Sequence, residues 1–134
     1  MATVQGQSIP LQRVAMLASG TVTANRLVKL SSTAGSVLHT TAITEEVFGV
    51  AQETVATGKM TTVEIGNGAI VKLVASAQIV AGAALMPAAA DGGKVTTRAG
   101  TTAVTVGYAL EAASGDGAVF TAIFRPAGLS PVVS

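Results

Sequence analysis

Residues 49–53 read GVAQE and residues 107–111 read GYALE. Glycine, alanine and glutamate recur in the same places 58 positions apart, and that offset, without a gap, also aligns Val22 with Val80, Leu27 with Leu85, Gly35 with Gly93, Val37 with Val95 and Ile65 with Ile123. A common spacing that runs from a strand-like start through paired glycines to a strand-like end is the trace left by an internally duplicated unit. The half-repeats span residues 20–75 and 78–126.

Outward from these phrases the chain alternates small and β-branched residues between short glycine-marked breaks, which is strand patterning. Strands are expected at 14–18, 27–30, 36–40, 47–51, 60–65 and 69–75, and again at 84–86, 94–97, 104–109 and 118–124. Within MTTVEI the two-residue pleat sets Thr61, Val63 and Ile65 on one, buried face and Met60, Thr62 and Glu64 on the other. Gly66-Asn67-Gly68 is expected to join its flanking strands as a tight hairpin, because glycine takes positive φ without a steric penalty. Asp91–Gly93 and Ser114–Gly117 read as turns for the same reason. Helical spacing is weak, and only Ile43–Val47, with Thr44 as a cap, suits one short helix. The expected fold is all-β with at most one short helix, a compact β-barrel or β-sandwich-like domain built on an internal two-fold duplication. Residues 13–126 form this single domain, residues 1–12 an N-terminal arm that is polar and ends its variable part in Pro10, and residues 127–134 an extended C-terminal tail.

A chain of 134 residues suffices for one ordinary core. Only 11% of its residues are charged, where about 25% is usual. Sparse charge favours association over colloidal repulsion, so an oligomer or an assembly part is expected. Eight basic and seven acidic residues lie scattered, which gives no electrostatic footprint for nucleic acid. Cysteine is absent, which removes disulfides and thiolate chemistry. The apolar run Ile79–Ala90 is broken by Pro87 and falls short of the roughly 20 residues of a spanning helix, so no membrane partner is expected. The start lacks a basic stretch followed by a sustained apolar one, so the chain reads as cytoplasmic when made.

Catalytic patterns fail one by one. His39 is the sole histidine and reads as a strand-face or interface residue. Ser19 lacks the first glycine of a nucleophile elbow. A phosphate loop needs Lys followed by Ser or Thr, whereas Lys59 precedes Met60 and Lys94 precedes Val95. Glu53 and Glu111, repeated at equivalent places, invite an acid–base pairing, but each follows an alternating strand and precedes a glycine-containing turn, where a solvated charge normally sits. Lys59 beside Met60 also lacks the signature of a biotin or lipoate carrier. No catalytic, cofactor or metal residues are assigned.

Three stretches, GTVTANRLVKLSS (20–32), VFGVAQETVATGKMTTVEIGNGAIVKL (47–73) and TVGYALEAASGDGAVFTAIFRP (105–126), resemble the phage capsid cement, or head decoration, proteins in order and spacing. The resemblance implies a β-rich structural virion protein without catalytic activity. It would assemble as a homotrimer on the outer surface of a matured head near its local threefold axes, and clamp the major capsid protein. Similar proteins of lambda-like phages use an N-terminal arm that orders on the shell. By location, β propensity and flexibility, the expected capsid-contact residues are Thr3, Val4, Gln5, Gly6, Gln7, Ser8, Ile9 and Pro10. Competing readings are a carrier or adhesion β-module and a recombinase-like phage enzyme; the missing phosphate loop and basic groove disfavour the latter.

Overall fold

The computed structural model describes residues 12–128. Ten strands follow in order: β1 (Arg13–Ala18), β2 (Leu27–Leu30), β3 (Ser36–His39), β4 (Gly49–Ala51), β5 (Met60–Glu64), β6 (Ala69–Val74), β7 (Ala84–Pro87), β8 (Val95–Thr97), β9 (Thr105–Ala109) and β10 (Val119–Gly128). Each forms where alternation of small and β-branched residues predicts a strand. The first five close a barrel in the order β1-β3-β2-β4-β5, and the last five form a sheet in the order β6-β10-β9-β7-β8. The barrel closes through the parallel pairing of Leu17 with Ser36 and Ala18 with Val37. In the second sheet a single parallel bridge, Ala75 to Val95, lies in the corresponding place.

When β1–β5 are matched to β6–β10, the strand orders of the two halves coincide. The bridge between Val22 and Val55 has its counterpart between Ile79 and Ala113. The spacing is not the uniform 58 residues read from the sequence. Ile79, at 1% exposure, takes the place of Val22, whereas Val80 is 65% exposed. Likewise Val50 pairs with Glu64 while Tyr108 pairs with Ile123, so the last strand has slipped by one residue in the opposite sense. A one-residue slip reverses the face a side chain presents, which is why a gap-free alignment mispairs Val22 with Val80, Leu27 with Leu85 and Ile65 with Ile123.

Two apolar clusters hold the fold. Ala18, Val22, Val28, Val37, Ala51 and Val63 fill the barrel. The second cluster centres on Phe120, Phe124, Leu73, Leu85 and Val106, and it also takes in Leu27 and Val50 from barrel strands. The outward side of β2 and β4 is therefore covered by the second half. Burying each phenylalanine contributes on the order of 2–3 kcal/mol. The β7–β8 turn fastens the cover: Leu27 N–H donates to Gly93 O at 2.8 Å, Gly93 N–H to Thr40 O at 3.0 Å, and Ala90 N–H to Thr41 O at 2.7 Å. Gly93 is required here, since a Cβ would lie 2.6 Å from the Leu27 carbonyl oxygen and φ is +80°.

Four expectations change. Gly66-Asn67-Gly68 makes a turn but not a hairpin, because β5 pairs with β1 and β4 while β6 pairs with β10, so the turn carries the chain from barrel to sheet. No helix forms among the described residues. At Thr41–Glu45 the Glu45 carboxylate accepts the N–H groups of Thr41 and Ala42 at 2.6 and 2.9 Å, and Ile43 O accepts Val104 N–H, which diverts the groups a helical turn would use. Glu64, assigned to the open face of β5, is 1% exposed. Finally β10 runs on to Gly128, past the expected start of the tail, with Pro126 tolerated where the register to β9 shifts.

Candidate assembly surfaces

The echoed phrases occupy matching positions on β4 and β9, and in each the glycine lets two strands approach. A Cβ on Gly49 would lie 2.5 Å from the Glu64 carbonyl oxygen, and one on Gly107 would lie 2.0 Å from that of Ile123. The glutamates that close the phrases also act alike. Glu53 accepts Thr62 N–H at 3.2 Å, and Glu111 accepts Thr121 N–H at 2.7 Å, so each exposed carboxylate satisfies a strand N–H. The Thr121 N–H, more than the nearby Lys72, holds the Glu111 carboxyl below its ordinary pKa. The two glutamates sit on different sheets and serve as strand ties.

Glu64 is the buried charge the sequence reading missed. Its Oε2 accepts the N–H of Gln12 at 2.8 Å and of Gly66 at 3.0 Å, and its Oε1 accepts Arg13 Nε at 3.1 Å. A buried carboxylate is tolerable only with such a partner set. It thereby grips the chain at the root of the N-terminal segment. Thr3, Val4, Gln5, Gly6, Gln7, Ser8, Ile9 and Pro10 lie outside the described residues, as does Leu11.

His39 ends β3 at the seam between the halves. Its Nε2 accepts Thr23 N–H at 2.9 Å, which requires that nitrogen to be unprotonated. Beside it Arg26 donates through Nη1 to Gly92 O at 3.2 Å across the seam. Burial first, and the Arg26 charge second, lower the His39 pKa from 6.5. A lowered folded-state pKa means the unfolded chain binds the proton more readily, so this stabilisation is full above 6.5 and is lost as pH falls below it. The melting temperature is accordingly expected to fall by several degrees between pH 7 and about 5, above the range where carboxylates titrate. His39→Gln, which can still accept the Thr23 N–H, should flatten that profile in calorimetry; an unchanged profile would contradict the assignment.

Other charges are tied to structure. Lys29 pairs with Glu45 beside an open groove of about 400 Å³ lined by Lys29, Leu30, Glu45, Glu46, Val47 and Phe48. Lys94 bonds Asp116 at 2.9 Å and lies 3.6 Å from Asp91. Lys59 is exposed in the turn before β5. Among the described residues no group of three His, Asp or Glu side chains could hold a metal ion. Unpartnered apolar surface occurs instead on the second sheet, where Ile70 and Tyr108 are 45% and 42% exposed.

A rigid pair of β units, ion pairs spent on structure, a gripped N-terminal root and an open apolar sheet face define an all-β structural protein. The sequence matches the family model described as phage cement protein over residues 6–125, so the chain belongs to the phage cement protein family and is a structural protein of the phage head. Association with the capsid and a place in the virion follow from that membership. Among solved structures it is similar to the head fiber gp8.5 N base in bacteriophage phi29, with 23% identity, a TM-score of 0.69, and coverage of 87% of this chain and 95% of that one. That likeness shows the all-β fold. No curated protein sequence matches significantly.

Proposed function

We infer that the protein is a capsid cement. It binds the outer surface of a phage head as a homotrimer and stabilises the shell against internal DNA pressure. The observation that carries this reading is the family match over residues 6–125. Physical chemistry supports it. A cement molecule needs a stiff body, a surface for its own copies and a segment that grips the shell. Two β units of like strand order, which we take to descend from one duplicated unit, supply the body. Residues 3–10 are the proposed gripping segment, rich in residues that suit an added strand and free of charge. Main-chain pairing at a sheet edge needs no particular side chains. The buried Glu64 ties Gln12 and Arg13, so tension on the arm passes into the barrel at its root. Three arms on one trimer bind together, and avidity multiplies the affinity of each.

Co-sedimentation of the purified chain with expanded, DNA-filled heads and with procapsids tests the reading. Binding is expected to the expanded heads and not to procapsids, and treated heads should retain DNA at temperatures or chelator concentrations that empty bare ones. Indifference to both kinds of head would defeat it.

A further inference from the structure

The two halves present the same lateral row of residues, and only one of them is covered. In the barrel the row is Arg13–Glu64–Val50–Leu27, read across β1, β5, β4 and β2. In the second sheet the matching row is Ile70–Ile123–Tyr108–Ala84, read across β6, β10, β9 and β7. Glu64, Val50 and Leu27 are at most 1% exposed, and the latter two lie in the core cluster centred on the second half. Ile70 and Tyr108 are 45% and 42% exposed.

The element lying against the barrel row is the β7–β8 turn. Gly93 O accepts Leu27 N–H at 2.8 Å and Gly92 O accepts Arg26 Nη1 at 3.2 Å. Its counterpart in the first half is the β2–β3 turn, residues 32–35, which is exposed along its length. The two turns share a glycine of positive φ, +71° at Gly35 and +80° at Gly93. A Cβ at Gly93 would strike the covered strand, whereas one at Gly35 meets nothing within 4 Å in the isolated chain.

We propose that the Ile70–Ile123–Tyr108–Ala84 row is the self-association surface, and that its occupant is the β2–β3 turn of a second copy, repeating between chains the contact the halves make within one chain. This deepens the self-association part of the proposed function and rests on it. The contact is heterologous, turn on row, so it closes into a ring when the rotation per copy permits. The partner's character follows from the row itself. It is apolar at the centre, and the nearby Lys72 and Glu111 lie 3.9 Å apart with both side chains exposed, so the flank carries one charge of each sign. A neutral flank suits a neutral occupant, and the turn Ser32-Thr33-Ala34-Gly35 is uncharged.

Sedimentation equilibrium on the full chain, the doubly substituted I70K/Y108K chain and the doubly substituted T33K/A34K chain tests the contact. The I70K/Y108K pair alters exposed strand positions and the T33K/A34K pair alters an exposed turn, so both are expected to keep wild-type circular dichroism. The full chain should associate, and each variant should associate at least about a hundredfold more weakly, as loss of central contacts in an interface does. If I70K/Y108K fails to fold, T33K/A34K still decides, because the proposal requires both sides. A wild-type oligomer with either folded variant undiminished overturns the proposed contact and leaves self-association standing. A variant that assembles normally but no longer sediments with heads gives the surface to the capsid and likewise overturns it. A wild-type chain that stays monomeric at all concentrations overturns self-association itself, and the contact with it.

Discussion

Alanine at Gly107 is expected to lower the melting temperature by about 15 °C, and valine there to leave little folded protein. The argument begins with a distance. The alanine Cβ would sit 2.0 Å from the Ile123 carbonyl oxygen and 3.2 Å from the Arg125 nitrogen, both main-chain atoms of β10 that side-chain rotation cannot move. The backbone φ at Gly107 is also 155°, which side-chain-bearing residues rarely adopt. Relief requires β9 and β10 to separate, and β10 is the strand that brings Phe120, Ala122 and Phe124 into the main core. Overpacking and backbone strain of this kind cost about 3–5 kcal/mol together, a large share of a stability of about 5–15 kcal/mol. Gly20→Ala is the control, because its Cβ meets nothing within 4 Å and its φ is not positive. It should shift stability by less than about 0.5 kcal/mol. Thermal unfolding followed by circular dichroism reads both, and equal melting temperatures for the two alanine variants would refute the close-approach account.

Removing residues 1–10 is expected to leave the melting temperature within a few degrees of wild type and to weaken binding to expanded heads by a hundredfold or more. Stability should persist because the described strands begin at Arg13, and Glu64 still ties Gln12 and Arg13. Binding should collapse because three arms act together, and losing them removes the avidity of the trimer along with each single contact. Separate measurements of melting and co-sedimentation distinguish the effects. A truncated chain that binds heads as tightly as the full one would move the capsid contact to the body of the protein.

Most strands were legible because pleat alternation is local. Val71 and Leu73 point inward and Ile70 and Lys72 outward from β6, as their positions two apart require. What stayed hidden depends on which faces meet. Glu64 follows the polar phase of its strand, yet packing of the second half and three hydrogen bonds bury it. Nothing in the surrounding VEIG states that Gln12 and Arg13 lie alongside. Gly66-Asn67-Gly68 has hairpin chemistry, but turn residues fix a local bend and not the partner of the strand that follows. The gap-free repeat misplaced Val80 for a similar reason, since side chains one residue apart face opposite ways and composition alone does not register a slip. Of the assembly surfaces, the arm was legible from composition and resemblance. The open row was not, because its outward exposure is apparent only against its covered counterpart in the barrel.

Electron cryomicroscopy of the assembled particle at side-chain resolution bears most directly on the claim that this is an external cement. Density for three copies is expected on the outside of the shell where capsid subunits meet, with residues 3–10 laid along a capsid strand. Density confined to the interior with the genome, or an outer surface bare of the protein in intact DNA-filled heads, would contradict it.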